Sequence, residues 1–230
     1  MRKNFALLLL CLASIPPVQA QNETRTRYYD VELIVFERND AAAAEREFWP
    51  AVTQRPGSGV SLAGSGFLPL GYGQRVLNGV YSTLARSPAY TPLAHISWRQ
   101  PGLSAARARA VRIRAGQAFE LSVEASEATP APPKSGQLYP LEGTVKVVLG
   151  RYLHVYADLL LRRRMPEGFA GENQIGGRVM ETPLDDGAGF QGPALHVHEF
   201  QLRQHRRMRS GEMHYLDHPM MGMIVIIRRA

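Results

Sequence analysis

The chain is 230 residues long and carries 27 Lys and Arg against 20 Asp and Glu, a formal net charge of +7. Its single cysteine excludes a disulfide framework and a cysteine-built zinc site. The basic excess favours anionic partners, whether phosphates, carboxylate-bearing polymers or membrane surfaces, without choosing among them.

The N-terminus reads as a signal peptide over residues 1–20. Arg2 and Lys3 precede an apolar run from Phe5 to about Ala13, followed by Ile15-Pro16-Pro17 and the small-residue site Val18-Gln19-Ala20. The apolar run is shorter than the roughly 20 residues a bilayer span needs. Cleavage after Ala20 removes Cys11, and the Leu9-Leu10 before that cysteine do not fit a lipoprotein signal. The mature chain, 21–230, is then free of cysteine and is expected to be one domain with no membrane span.

Tyr29 to Phe36 predicts a strand, with Val31, Leu33 and Val35 on one face. Ile34 and Phe36 make the other face apolar too, which places this strand centrally in a sheet. Arg38 to Phe48, with its Ala41–Ala44 run, reads as a short helix or surface segment, and 50–73 as loop. Over Gln74 to Arg86 the spacing of Leu77, Val80, Tyr81 and Leu84 predicts an amphipathic helix that Pro88 ends. Leu93–Arg99 and Ala118–Val123 read as strands. Glu124 to Gln137, around Thr129-Pro130-Ala131-Pro132-Pro133, reads as a solvated loop.

Leu141–Leu149 and Arg151–Leu161 alternate around Gly150, as in an antiparallel hairpin or one long bulged strand. The polar, Gly-rich stretch Arg162–Gly192 reads as a long loop. Leu195–Met208, Met213–Leu216 and Met223–Ile227 supply the last strands, with Pro219 interrupting. The expected class is α+β: a mainly antiparallel sheet with one or two packed helices and long polar loops.

Chemistry-bearing residues concentrate between His205 and Pro219, where Arg206, Arg207 and Arg209 stand beside Glu212, His214, Tyr215, Asp217 and His218. Arginine forks grip carboxylates or phosphates in bidentate fashion, so one reading is an anion-binding surface. The other is an edge strand and turn whose charges pair with one another, Arg209 with Glu212 for instance. A zinc site from His214, Asp217 and His218 needs a helix, but the surroundings read as strand. There His214 and His218 share a face about 13 Å apart, too far for one ion. The expected mature chain has no cysteine, Gly-x-Ser-x-Gly elbow or phosphate loop, and an acid–base pair from Glu212, Asp217 and a histidine is the weakest reading. Trp98 and Arg99, with Tyr90 and His95, offer a sugar-stacking face with a carboxylate holder, or else core packing of the indole. Arg107, Arg109, Arg112 and Arg114 read as a solvated strand edge rather than a polyanion-binding ribbon.

Three stretches carry a resemblance. They are Tyr29 to Glu37 with Phe48-Trp49-Pro50; Ala94-His95-Ile96-Ser97-Trp98-Arg99-Gln100-Pro101; and Gly150-Arg151-Tyr152-Leu153-His154-Val155 with the run from Arg206 to Pro219. Together they make the chain similar to the CsiV family of Gram-negative periplasmic proteins, described as peptidoglycan-binding and linked to cell-shape integrity. The resemblance covers nearly all of 21–230. It implies a periplasmic, non-enzymatic protein without a cofactor that binds peptidoglycan and supports wall synthesis. It also implies a partner, an outer-membrane lipoprotein activator of a penicillin-binding protein, and no nucleic acid. An adaptor to that activator, held at the wall indirectly, is the alternative. Peptidoglycan offers stem-peptide carboxylates, which Arg206, Arg207 and Arg209 can meet, and sugar faces for Tyr215, Tyr152 or Trp98. Arg151, His154 and Arg99 complete the candidate set.

Overall fold

The computed structural model describes residues 26–40, 47–119, 137–166, 169, 172, 174–179 and 195–230. The expected signal peptide over 1–20, the Ala41–Ala44 run, most of the expected strand Ala118–Val123 and all but Gln137 of the expected loop Glu124–Gln137 lie outside the described residues.

Among the described residues, ten strands form two antiparallel sheets. Sheet A has the order β2 (Leu68–Pro69), β3 (Tyr90–Pro101), β1 (Tyr28–Arg38), β10 (Met221–Arg229), β9 (Met213–His218). Sheet B has the order β4 (Ala110–Ala115), β5 (Leu141–Leu149), β6 (Leu153–Pro166), β8 (Leu195–Met208), β7 (Gln174–Val179). The period-two pattern places one apolar row of the longer strands inward. Val31, Leu33 and Val35 of β1 and Val225 and Ile227 of β10 meet Val145, Val155, Leu159, Leu161 and Leu202 of sheet B in one core. Trp98 is fully buried there, with its indole N–H donated to Gln100 Oε1 at 2.8 Å. Gln100 Nε2 reaches on to the Val147 carbonyl of the other sheet at 3.4 Å.

The α+β expectation is corrected. The fold is two packed antiparallel sheets with one short α-helix, α1 (Asn78–Arg86), and two 3₁₀ turns among the described residues. Two misreadings account for the difference. Residues 74–77 do not join the helix: a 3₁₀ turn spans Tyr72–Gln74, and Arg75 is extended. Most of the described residues of the supposed loop Arg162–Gly192 are strand, since β6 runs to Pro166 and β7 follows. Arg162 sits in a strand interior because carboxylates of the neighbouring strands satisfy it, Glu142 at 3.1 Å and Glu199 at 2.9 Å.

Ile34 and Phe36, on the outer side of β1, pack with Leu77, Leu84, Val80 and Tyr81 of the helix segment. β1 lies between β3 and β10, so both its edges are paired, and the shared core and the helix segment cover its two faces. Glu32, on the same side and 2 % exposed, fixes the helix start. The N–H groups of Val76 and Leu77 donate to its two carboxylate oxygens at 2.7 and 2.9 Å. His95 Nε2 stands 2.7 Å from Oε1. No side chain of the helix's own N-cap, Leu77, can do this.

Glu32→Ala should therefore destabilise the protein by about 3 kcal/mol, the scale of a buried charged hydrogen-bond acceptor removed from its donors. Denaturant unfolding reads this out, and a loss under about 1 kcal/mol would show that the helix start does not depend on Glu32.

Candidate functional site

Each sheet has an outer side, facing away from the shared core. On sheet B this side is built by a fixed register. Lys146 of β5 lies opposite Tyr156 of β6, and Tyr156 lies opposite His205 of β8. One step along, His154 lies opposite Arg207. Tyr152, just before β6, continues the row Tyr152, His154, Tyr156, whose members are spaced by about 6.6–7 Å.

These side chains form a continuous ladder. The Tyr156 and His205 rings stack at 4.2 Å and 10°. His205 stacks on His154 at 5.1 Å, with His154 Nδ1 and His205 Nε2 2.9 Å apart. Cations border it: Lys146 Nζ lies 5.1 Å from the Tyr156 centroid, and Arg207 and Arg151 lie 4.8 and 5.6 Å from that of Tyr152. Tyr152 and Tyr156 are 43 % and 38 % exposed, so the rings are open to solvent. Among the described residues, no carboxylate pairs with Lys146, Arg151 or Arg207. The arrangement can stack a flat apolar ligand face and hold anionic groups at its margins.

The candidate residues divide between this ladder and other surroundings. Arg151, Tyr152, His154 and Arg207 belong to it. Arg206 faces the opposite side of β8, in register with Val155, exposed and without a carboxylate partner among the described residues. Arg209 pairs with Glu212 at 3.5 Å, both exposed, as the self-pairing alternative anticipated. His214 stands near both. Burial, then the charges of Arg206 and Arg209, lower its pKa, while Glu212 opposes.

Tyr215 and Asp217 lie on the outer side of sheet A, away from the ladder. The Tyr215 hydroxyl donates to Asp217 Oδ1 at 2.6 Å and accepts from Arg38 Nη2 at 2.7 Å, and Arg38 also reaches Asp217 at 2.6 Å. Burial, then the bond to Asp217, push the Tyr215 phenol up. Its ring lies parallel to Phe36, at 6.1 Å and 8°, across Gly222, where a Cβ would stand 2.5 Å from Phe36 and 2.7 Å from Tyr215. His218 points the other way, packing on Trp49 at 5.5 Å and accepting the Met220 N–H at Nδ1. Asp217 and His218 thus face opposite sides of β9, and the arrangement makes no acid–base pair of them.

Trp98 is core, and Arg99 forms a two-bond ion pair with Asp30 at 2.7 and 3.0 Å on sheet A. Neither approaches the ladder. Sequence reasoning missed Tyr156, His205 and Lys146. The signal was available: Tyr156 shares the outward phase of His154 on an alternating strand.

Burial lowers the His218 pKa from 6.5 to about 4, with Asp217 opposing and Arg38 assisting. The native state therefore holds the neutral ring. Its stabilising contribution is complete above pH 6.5 and is lost as pH falls toward about 4, a loss of roughly 2–3 kcal/mol. His218→Asn, which keeps an acceptor for the Met220 N–H, should flatten the stability–pH slope in that window. An unchanged slope would remove His218 as its source.

No solved structure and no curated protein sequence gives a significant match to the chain. A family model described as "Peptidoglycan-binding protein, CsiV" matches residues 3–230. The match spans essentially the whole sequence, ladder strands included, and the chain belongs to the CsiV family.

Proposed function

We propose that this protein is a non-enzymatic, periplasmic peptidoglycan-binding protein that supports wall synthesis and cell shape, and that it meets the wall through the outer side of sheet B. The observation that carries the site is the exposed ladder of Tyr152, His154, His205 and Tyr156, with cations at its edges that no carboxylate among the described residues pairs with. A glycan presents flat C–H faces that stack on such rings. Its stem peptides present carboxylates that Arg151, Arg207 and Lys146 attract. The family description supports the ligand class. Residues 1–20 supply the export signal in this reading. The partnership with an outer-membrane lipoprotein activator of a penicillin-binding protein follows from the family resemblance.

Co-sedimentation with purified sacculi tests the site. Pelleting should weaken as salt rises, because the contacts at the ladder edge are solvent-exposed. Tyr152→Ala with Tyr156→Ala should reduce affinity by about tenfold or more, on the scale of about 0.5–1.5 kcal/mol for each stacked ring. Arg207→Ala should weaken pelleting markedly and Arg206→Ala, on the other side of the strand, little. Equal loss from the two arginine variants, or none from the tyrosine pair, would remove the ladder as the contact surface.

The activator partnership has its own test. A complex recovered from an envelope extract after muramidase digestion supports direct protein contact. Loss of the partner on digestion would mean that the wall alone joins the two proteins.

A further inference from the structure

The ladder occupies only one end of the outer side of sheet B. At the other end a cavity of about 370 Å³ opens beneath the segment 55–58. That volume lies within the range of small-ligand pockets, about 300–1,000 Å³. Arg55, Arg112, Arg114 and Arg162 line it, with Glu142 and the apolar Leu160.

The charges in and beneath the cavity do not cancel. Arg55 grips Glu199 with two bonds at 2.8 and 3.0 Å, and Arg162 joins Glu199 to Glu142. Arg114 also binds Glu142, at 2.8 Å. Burial alone would raise the Glu142 pKa, but the bonds from Arg114 and Arg162 hold the carboxyl below its ordinary value. Among the described residues, four guanidinium groups thus meet two carboxylates. Arg112 is the one without an acid. Its Nε and Nη2 donate to the carbonyls of Ser58 and Gly59, at 2.7 and 3.1 Å, and among the described residues no carboxylate pairs with it.

We infer that this cavity is a second subsite, which takes the carboxylate end of a peptidoglycan stem peptide while the ladder holds the sugar to which that peptide is attached. The inference rests on the wall-binding reading above. Three features fix the ligand class. Surplus guanidinium charge selects an anion, and the fork geometry suits a carboxylate. Leu160 and Pro56 give the cavity apolar wall, which suits small apolar residues such as alanine beside that carboxylate. The spacing agrees as well. Tyr156 and Leu160 lie four residues apart on the same side of β6, about 13 Å, a distance that about four extended peptide residues span.

Calorimetric titration of the mature chain with two soluble muropeptides tests this. Both carry the same disaccharide and stem peptide and differ only at the peptide's C-terminal group, a free carboxylate in one and a carboxamide in the other. The carboxamide form should bind about tenfold more weakly, the scale of a lost charge-assisted contact. Arg112→Gln keeps a donor for the loop carbonyls but removes the charge. It should reduce affinity for the free acid to that of the carboxamide and leave carboxamide binding unchanged. Arg112→Lys should restore part of the difference. Equal affinity for both forms in the wild type, or an equal loss for both in Arg112→Gln, would overturn the subsite while leaving the ladder and wall binding standing. Failure of both muropeptides to bind a chain that also fails to pellet with sacculi would overturn the wall-binding reading and this inference together.

Discussion

The pairing of β6 with β8, continuous from Leu153↔Met208 to Pro166↔Leu195, decides where the functional side chains of sheet B stand. Side chains alternate in a strand, so a slip of one residue would exchange inner and outer rows along its whole length. The slipped register would put Tyr156 and His154 into the core and Leu159 and Leu161 into water. Burial of Val155, Leu159, Leu161, Phe200 and Leu202 at 1 % exposure or less holds the pairing in register. Binding geometry is in this sense a by-product of core formation: the same apolar row that closes the sandwich aims the aromatic row outward.

The basic character of the chain divides along physical lines that charge counting does not reveal. Arg162 is almost fully buried and is tolerable because Glu142, Glu199 and the Tyr139 carbonyl take its donors. Removing one member of such a set would strand a charge in low dielectric. With Arg55, Arg203 and Arg112, this network ties the segment 54–59 across the sheet, since Arg203 bonds Gln54 and Arg112 bonds Ser58 and Gly59. Arg38 and Arg99 are likewise committed to Asp217 and Asp30. Of the cations that no carboxylate pairs with among the described residues, three, Lys146, Arg151 and Arg207, border one aromatic surface.

Much of the fold was legible in the sequence because alternation is a direct imprint of a two-sided sheet. β1 announced its central place through Ile34 and Phe36, and the hairpin around Gly150 through two adjacent alternating runs. Arg162–Pro166 was not legible, because Arg162 and Arg163 look like loop until their carboxylate partners, distant in sequence, are known; Gln174–Val179 was not, because Gly176 and Gly177 break its alternation. The helix was read four residues too long for a related reason: its start is set by Glu32, forty-four residues away from Val76. The candidate site was half legible. Sequence proximity grouped Tyr215, Asp217 and His218 with Arg207, whereas the turn between β8 and β9 sends them to other surfaces. His205 lay at the margin of that cluster, and only cross-strand register joins it to Tyr156.

Both tryptophans of the chain are interior, Trp98 fully and Trp49 at 6 % exposure, and neither belongs to the aromatic ladder. Ultraviolet emission excited at the indoles therefore follows the integrity of the sandwich and is insensitive to what lies on its outer side. Occupancy of that side registers instead in the phenol and imidazole resonances of Tyr152, Tyr156, His154 and His205, which gives folding and ligand capture two separate optical and magnetic signatures in one unmodified molecule.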